Sequence, residues 1–107
     1  SDLPPAKYNP GAVVKNSLIA SGSIVNGTVE NSILFRGVKV GKGTVIKDSV
    51  IMQGAVIGNN CKIGKNAQIQ EYTVLGENVT VDDNATNLSY PSLSNGTTQK
   101  NPVPRTP

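Results

Sequence analysis

Aliphatic residues recur along this chain with a period that belongs neither to a helix nor to a single alternating strand. They fall at Val14, Ile19, Val25, Val29, Leu34, Val40, Ile46, Ile51, Ile57, Ile63, Ile69, Leu75 and Val81. From Ile51 onward the step is six residues; before it the steps are four, five or six. Taken three at a time, the positions form three columns. Val14, Val29, Ile46, Ile63 and Val81 make one, Ile19, Leu34, Ile51 and Ile69 the next, Val25, Val40, Ile57 and Leu75 the last. Three short strands per coil, with one column lining each wall, predict a triangular prism of stacked coils. A longer repetition agrees. Residues 15–25, 30–40 and 47–57 are near-copies whose starts lie 15 and 17 residues apart. That repeat is too short for a helix pair and suits a strand solenoid.

The polar positions supply the corners. Three residues after most column positions stands Gly or Asn: Gly22, Gly37, Gly43, Gly54, Asn60, Asn66, Asn78 and Asn84. Both types tolerate the positive φ that a sharp corner requires. The five-residue steps carry Asn16, Asn31 and Asp48 two residues on, a shorter turn of the same kind. Tyr72 is the one full-length corner that breaks the rule. Ser23, Thr44, Ala55, Cys61, Ala67 and Thr73 follow the corners with side chains small enough for a narrow interior. The pattern resembles the hexapeptide-repeat, left-handed parallel β-helix, and the left hand is implied by that resemblance.

Three segments follow. Residues 1–12, with Pro4, Pro5, Pro10 and Gly11 and no period, read as a linker from an absent catalytic domain. Residues 13–85 form the prism, a little over four coils. Residues 86–107 read as a flexible polar tail, with Leu88, Tyr90, Pro91 and Leu93 available to dock on the prism. Both ends of such a prism expose strand edges and apolar columns, so something is expected to cap them.

Composition narrows the chemistry. At 107 residues the chain makes one small domain, with Phe and Tyr as its only aromatics. The net charge of +3 is mild, and the single cysteine, Cys61, excludes an internal disulfide. Its place among the small interior residues marks a buried structural thiol. No stretch is apolar and long enough to span a membrane, which makes the cytoplasm the default location. There is no histidine. A transferase of the hexapeptide class ordinarily needs a histidine base, and a zinc site in such a helix needs histidine ligands. Residues 37–44 are glycine-rich, but the spacing departs from a phosphate loop and no helix follows.

The wording of residues 2–8 (DLPPAKY), 15–20 (KNSLIA), 30–38 (ENSILFRGV) and 48–53 (DSVIMQ) is similar to the C-terminal region of ADP-glucose pyrophosphorylase, or glucose-1-phosphate adenylyltransferase. Residues 34–38 lean toward its glycogen-biosynthesis regulatory subunit. The resemblance implies a parent protein that converts ATP and glucose 1-phosphate to ADP-glucose and pyrophosphate. It places Mg²⁺, ATP and the chemistry in a separate N-terminal domain and leaves no catalytic, cofactor or metal residue in this chain. It implies partners in that catalytic domain and in sister subunits of a tetramer. A family activator arginine would fall near Gln70 and Glu71, and Glu71 has the wrong charge for a sugar bisphosphate. The reading is therefore a non-catalytic assembly and regulatory domain. Its rivals are a fragment of a trimeric hexapeptide-repeat acyltransferase and a purely structural solenoid module.

Two surface features remain. Arg36, Lys39, Lys42, Lys47, Lys62 and Lys65 crowd the middle coils with only Asp48 among them. They read as a solvated basic surface, or else as an anion or effector site centred on Arg36, Lys39, Lys42 and Lys47. A nucleic-acid partner is not expected, because no aromatic residues alternate with the basic ones. Ala20, Phe35 and Met52 each follow a column residue by one, so they face outward and stack from coil to coil. Ile24, Val56 and Val74 face outward on another wall. Such rows mark a contact surface, and Ala20, Phe35 and Met52 are the candidate interface.

Overall fold

In a computed structural model, which describes residues 2–85 and 92–100, the three predicted columns are the three walls of a solenoid. Among the described residues it has sixteen short strands, β1 to β16 in chain order, paired in parallel throughout. The first wall stacks β1 (Lys7–Tyr8), β4 (Ile24–Val25), β7 (Lys39–Val40), β10 (Val56–Ile57), β13 (Val74–Leu75) and β15 (Ser92–Leu93). The second stacks β2 (Val13–Lys15), β5 (Thr28–Glu30), β8 (Val45–Lys47), β11 (Lys62–Ile63), β14 (Thr80–Val81) and β16 (Thr98–Gln99). The third stacks β3 (Leu18–Ile19), β6 (Ile33–Leu34), β9 (Val50–Ile51) and β12 (Gln68–Ile69). Column neighbours are register partners on every wall, as in Val29 with Ile46, Leu34 with Ile51 and Ile57 with Leu75. The hexapeptide-repeat parallel β-helix is the observed fold.

The solenoid runs past both expected boundaries, to about five turns. Lys7 and Tyr8 sit in the expected linker yet pair with Ile24 and Val25. Their strand has no apolar partner row of its own; it is held by main-chain bonds from the Lys7 and Asn9 N–H groups to the Ser23 and Val25 carbonyls. At the other end, Leu93 continues the column of Leu75, and Gln99 pairs with Val81. The part of the expected tail from residue 92 to residue 99 is therefore strand and turn. Leu93 docks as proposed, while Leu88, Tyr90 and Pro91 lie outside the described residues.

Corner chemistry explains why the chain turns where it does. Every corner predicted from spacing has positive φ, including Asn16, Asn31 and Asp48. Tyr72 adopts the same conformation, at φ 57°, although its side chain is neither glycine nor asparagine. Spacing thus overrides residue type at this corner. Its ring lies across Gly54, where an added Cβ would run into it. The Gln53 amide donates to its hydroxyl at 3.1 Å. A bulky residue in the left-handed region costs roughly 1–2 kcal/mol. Tyr72→Asn is accordingly expected to leave the fold intact and raise the melting temperature by a few degrees. A fall would mean that the ring contact outweighs the strain.

The interior is lined by buried aliphatic side chains. Val25, Val29, Leu34, Ile46, Ile51 and Ile69 are all 0% exposed. The predicted small residues Ser23, Thr44, Ala55, Cys61, Ala67 and Thr73 are buried beside them. Buried polar side chains tie one coil to the next. Ser23 Oγ donates to the Phe35 carbonyl at 3.0 Å and accepts from the Val38 N–H. Thr44 Oγ1 donates to the Gly58 carbonyl at 2.6 Å and accepts from the Cys61 N–H. Ser49 Oγ faces the Lys47 and Gly64 carbonyls and accepts from the Ala67 N–H. The Cys61 thiol reaches the Gly76 carbonyl at 3.0 Å, in the structural role read from its position. Buried groups satisfied in this way rigidify the stack, whereas an unpaired one costs about 1–3 kcal/mol.

Candidate interaction surfaces

The third wall is the most apolar face. Along it, Leu18, Ile33, Val50 and Gln68 precede the column residues and are register partners in turn. Ala20, Phe35 and Met52 follow the column residues, one per coil, and their N–H groups donate to Leu34, Ile51 and Ile69. The two rows together place six apolar side chains over three coils. Leu18 is 62% exposed, Phe35 41% and Ile33 40%, while Ala20, Val50 and Met52 are half-buried. No charged residue stands in either row from β3 to β12. Sequence reasoning selected Ala20, Phe35 and Met52 and missed Leu18, Ile33 and Val50. The signal was available, because these three precede their column residues as Ile24 precedes Val25.

The first wall is different. Lys39 stands between Ile24 and Val56 in the register, which breaks that outward row in two. Val56 and Val74 remain adjacent. Val74 is 46% exposed, and Tyr72 at the neighbouring corner is 61% exposed.

The basic residues are dispersed. Arg36, Lys39, Lys42 and Lys47 belong to one turn of the coil. Arg36 precedes the Gly37 corner, Lys39 lies on β7 of the first wall, Lys42 precedes the Gly43 corner, and Lys47 ends β8 on the second wall. The fold therefore sends them in different directions. Lys47 faces Glu30, its register partner, at 3.8 Å, so Asp48 is not the only acid near the set. That pair is 49% and 28% exposed, the kind of surface contact that contributes about 0–1 kcal/mol. Lys62 lies on β11 and shares an open groove with Thr80, Asp82 and Asp83. Asp83 serves as a cap: its Oδ1 accepts the Lys65 N–H at 2.7 Å. Asn59 does the same for Lys42, and Asn95 for Glu77. Glu71 is exposed at the corner beside Tyr72. Among the described residues no three Cys, Asp or Glu side chains are grouped to hold a metal ion. No helix there is long and apolar enough to cross a membrane.

Comparison with known proteins agrees with this architecture. A stretch of 45 residues, 42% of this chain, is 58% identical to the glycogen biosynthesis protein GlgD of Geobacillus stearothermophilus, of which it covers 13%. A stretch of 47 residues, 43% of this chain, is 64% identical to a glucose-1-phosphate adenylyltransferase of Clostridium botulinum (strain Eklund 17B / Type B), of which it covers 12%. These matches fall in the C-terminal regions of the relatives. They span about an eighth of the relatives' length. Among solved structures, the acetyltransferase domain of PglB from Neisseria gonorrhoeae FA1090, in complex with acetyl coenzyme A, superimposes with a TM-score of 0.52. It is 21% identical over 89% of this chain and 51% of its own, a likeness of fold alone. The model of the GlmU-like, C-terminal hexapeptide family matches residues 4–93, and the chain belongs to that family.

Proposed function

We propose that this chain is a non-catalytic assembly and regulatory β-helix of a protein of the ADP-glucose pyrophosphorylase class. The parent reaction would be ATP plus glucose 1-phosphate to ADP-glucose plus pyrophosphate, with Mg²⁺ and the reacting groups held by another domain in the cytoplasm. The observation that carries the reading is the 58–64% identity to a GlgD and to a glucose-1-phosphate adenylyltransferase. Two features of the chain support it. It has no histidine to act as a transferase base. Its third wall carries two rows of apolar side chains, the feature expected of a contact face rather than of a substrate cleft.

The test has two arms. The chain alone is supplied with ATP, glucose 1-phosphate and Mg²⁺, and separately with acetyl coenzyme A and amino-sugar acceptors; no turnover is expected in either mixture. Turnover of the first mixture removes the non-catalytic reading, and acetyl transfer with a three-fold trimer in light scattering selects the acyltransferase reading. In the second arm the chain is joined to the catalytic portion of a glucose-1-phosphate adenylyltransferase. Leu18→Asp with Phe35→Asp is expected to shift the fusion to a smaller species in light scattering and to lower its activity at least tenfold, with the β-helix still folded. Unchanged assembly would show that the third wall is not the contact.

A further inference from the structure

We propose that the last described coil, residues 92–100, is a detachable cap that opens as a unit of its own while the rest of the prism stays closed. The proposal stands apart from the reading of function above and rests on the seam between this coil and the one before it.

Three observations mark that seam as weaker than the seams above it. Interior polar side chains tie the earlier coils together: Ser32 N–H to Ser17 Oγ, Ser49 N–H to Ser32 Oγ, Val38 N–H to Ser23 Oγ, Cys61 N–H to Thr44 Oγ1, Ala67 N–H to Ser49 Oγ and, across the seam directly above the last one, the Cys61 thiol to the Gly76 carbonyl. Among the described residues, the interior polar side chain at the last seam is Thr73. Its Oγ1 is buried, at 0% residue exposure, and has no hydrogen-bond partner. Next, the aliphatic column of the second wall, Val29, Ile46, Ile63 and Val81, ends on Gln99, a polar half-buried residue. Finally, Leu93 is 9% exposed, whereas Leu75 directly above it is 1% exposed. An orphaned hydroxyl, a polar residue in an apolar column and a loosely covered leucine all lower the free energy of opening at one place.

Opening would release the main-chain bonds from Gly76 to the Leu93 carbonyl, from Thr80 to the Thr97 carbonyl and from Asp82 to the Gln99 carbonyl. It would uncover Leu75 and Val81 and leave β13 and β14 as free parallel edges. A capped end becomes an open one without loss of the prism, which makes this end switchable.

Native-state amide exchange of the full chain tests the idea, because each bond at this seam has an equivalent one coil higher. Gly76, Thr80 and Asp82 correspond to Gly58, Lys62 and Gly64, whose N–H groups donate to Leu75, Val79 and Val81. The first three amides are expected to exchange together with Gly96 and Thr97, at least tenfold faster than the second three, and with a smaller denaturant dependence. Equal rates in the two sets overturn the proposal. So does equally fast exchange at the opposite end, where Lys7, Asn9 and Val13 donate to Ser23, Val25 and Gly27, since that would be ordinary fraying. Thr73→Val removes the orphaned hydroxyl, and Gln99→Ile completes the column. Each is expected to slow Gly76, Thr80 and Asp82 at least fivefold while leaving Gly58, Lys62 and Gly64 unchanged; failure of both to do so also overturns the proposal.

Discussion

Ile51→Ala is expected to remove about 2–5 kcal/mol of unfolding free energy, as measured by equilibrium urea denaturation. Ile51 is 0% exposed and lies between Leu34 and Ile69 in the middle of the third-wall column. Truncation there leaves a void bordered above and below by side chains that are themselves buried. A solenoid coil contacts only its neighbours, so a weakened central coil cannot be relieved by packing elsewhere. Total stabilities of small domains are about 5–15 kcal/mol, which makes the loss a large share of the whole. Phe35→Ala is the control. Phe35 lies on the outer side of the same wall at 41% exposure, and its truncation should alter stability by less than about 1 kcal/mol. The ratio of the two losses reads out which side of the wall faces inward. If Phe35→Ala cost more than Ile51→Ala, the assignment of columns to the core would be reversed.

The core was legible in the sequence because two independent signals shared one phase. The aliphatic step located the walls, and glycine, asparagine or aspartate located the corners, so the register of Val14, Val29, Ile46, Ile63 and Val81 followed without any tertiary information. Tyr72 shows which signal is the stronger, since its backbone obeys the spacing against its own side chain. The ends were harder to read for a definite reason. Leu93, Gly96 and Thr97 repeat the column, corner and small-residue order, but Gln99 then interrupts it with a polar residue opposite Val81. Lys7 and Tyr8 are held mainly by main-chain bonds, which composition does not report. The charges were harder still. Lysines close in sequence look like a patch, yet a coil with a corner every few residues separates them. The Lys47–Glu30 contact joins residues a full coil apart. The outward row of Leu18, Ile33 and Val50 could have been read from the columns, because each residue immediately precedes one.

The stacking of those coils predicts the second large effect. Gly58→Ala should destabilise the protein by about 1–3 kcal/mol, the usual cost of forcing an atom into a packed site. The reason is spatial: Gly58 is absent from the positive-φ corners, so alanine meets no backbone penalty there. An added Cβ would stand 2.6 Å from the Gly76 carbonyl oxygen and 3.0 Å from the Leu75 carbonyl oxygen. Both are main-chain atoms of the next coil and cannot swing aside as a side chain could. Gly41 one coil up faces Gly58 in the same manner, so the edge between the first and second walls is a place where backbone rests directly on backbone. Accommodating the methyl group must lift the next coil and stretch the Gly58 N–H bond to Leu75, now 2.8 Å. It must also disturb the Gly58 carbonyl, which accepts from Thr44 Oγ1 at 2.6 Å. At roughly 4–8 °C per kcal/mol for a domain of this size, the melting temperature should fall by several degrees or more. The loss should appear as earlier exchange of the Gly58 and Gly76 amides together. A melting temperature within about 2 °C of the parent would mean that the coils have room to spare at this edge, and the tight vertical spacing on which the buried Ser and Thr hydrogen bonds between coils depend would have to be abandoned.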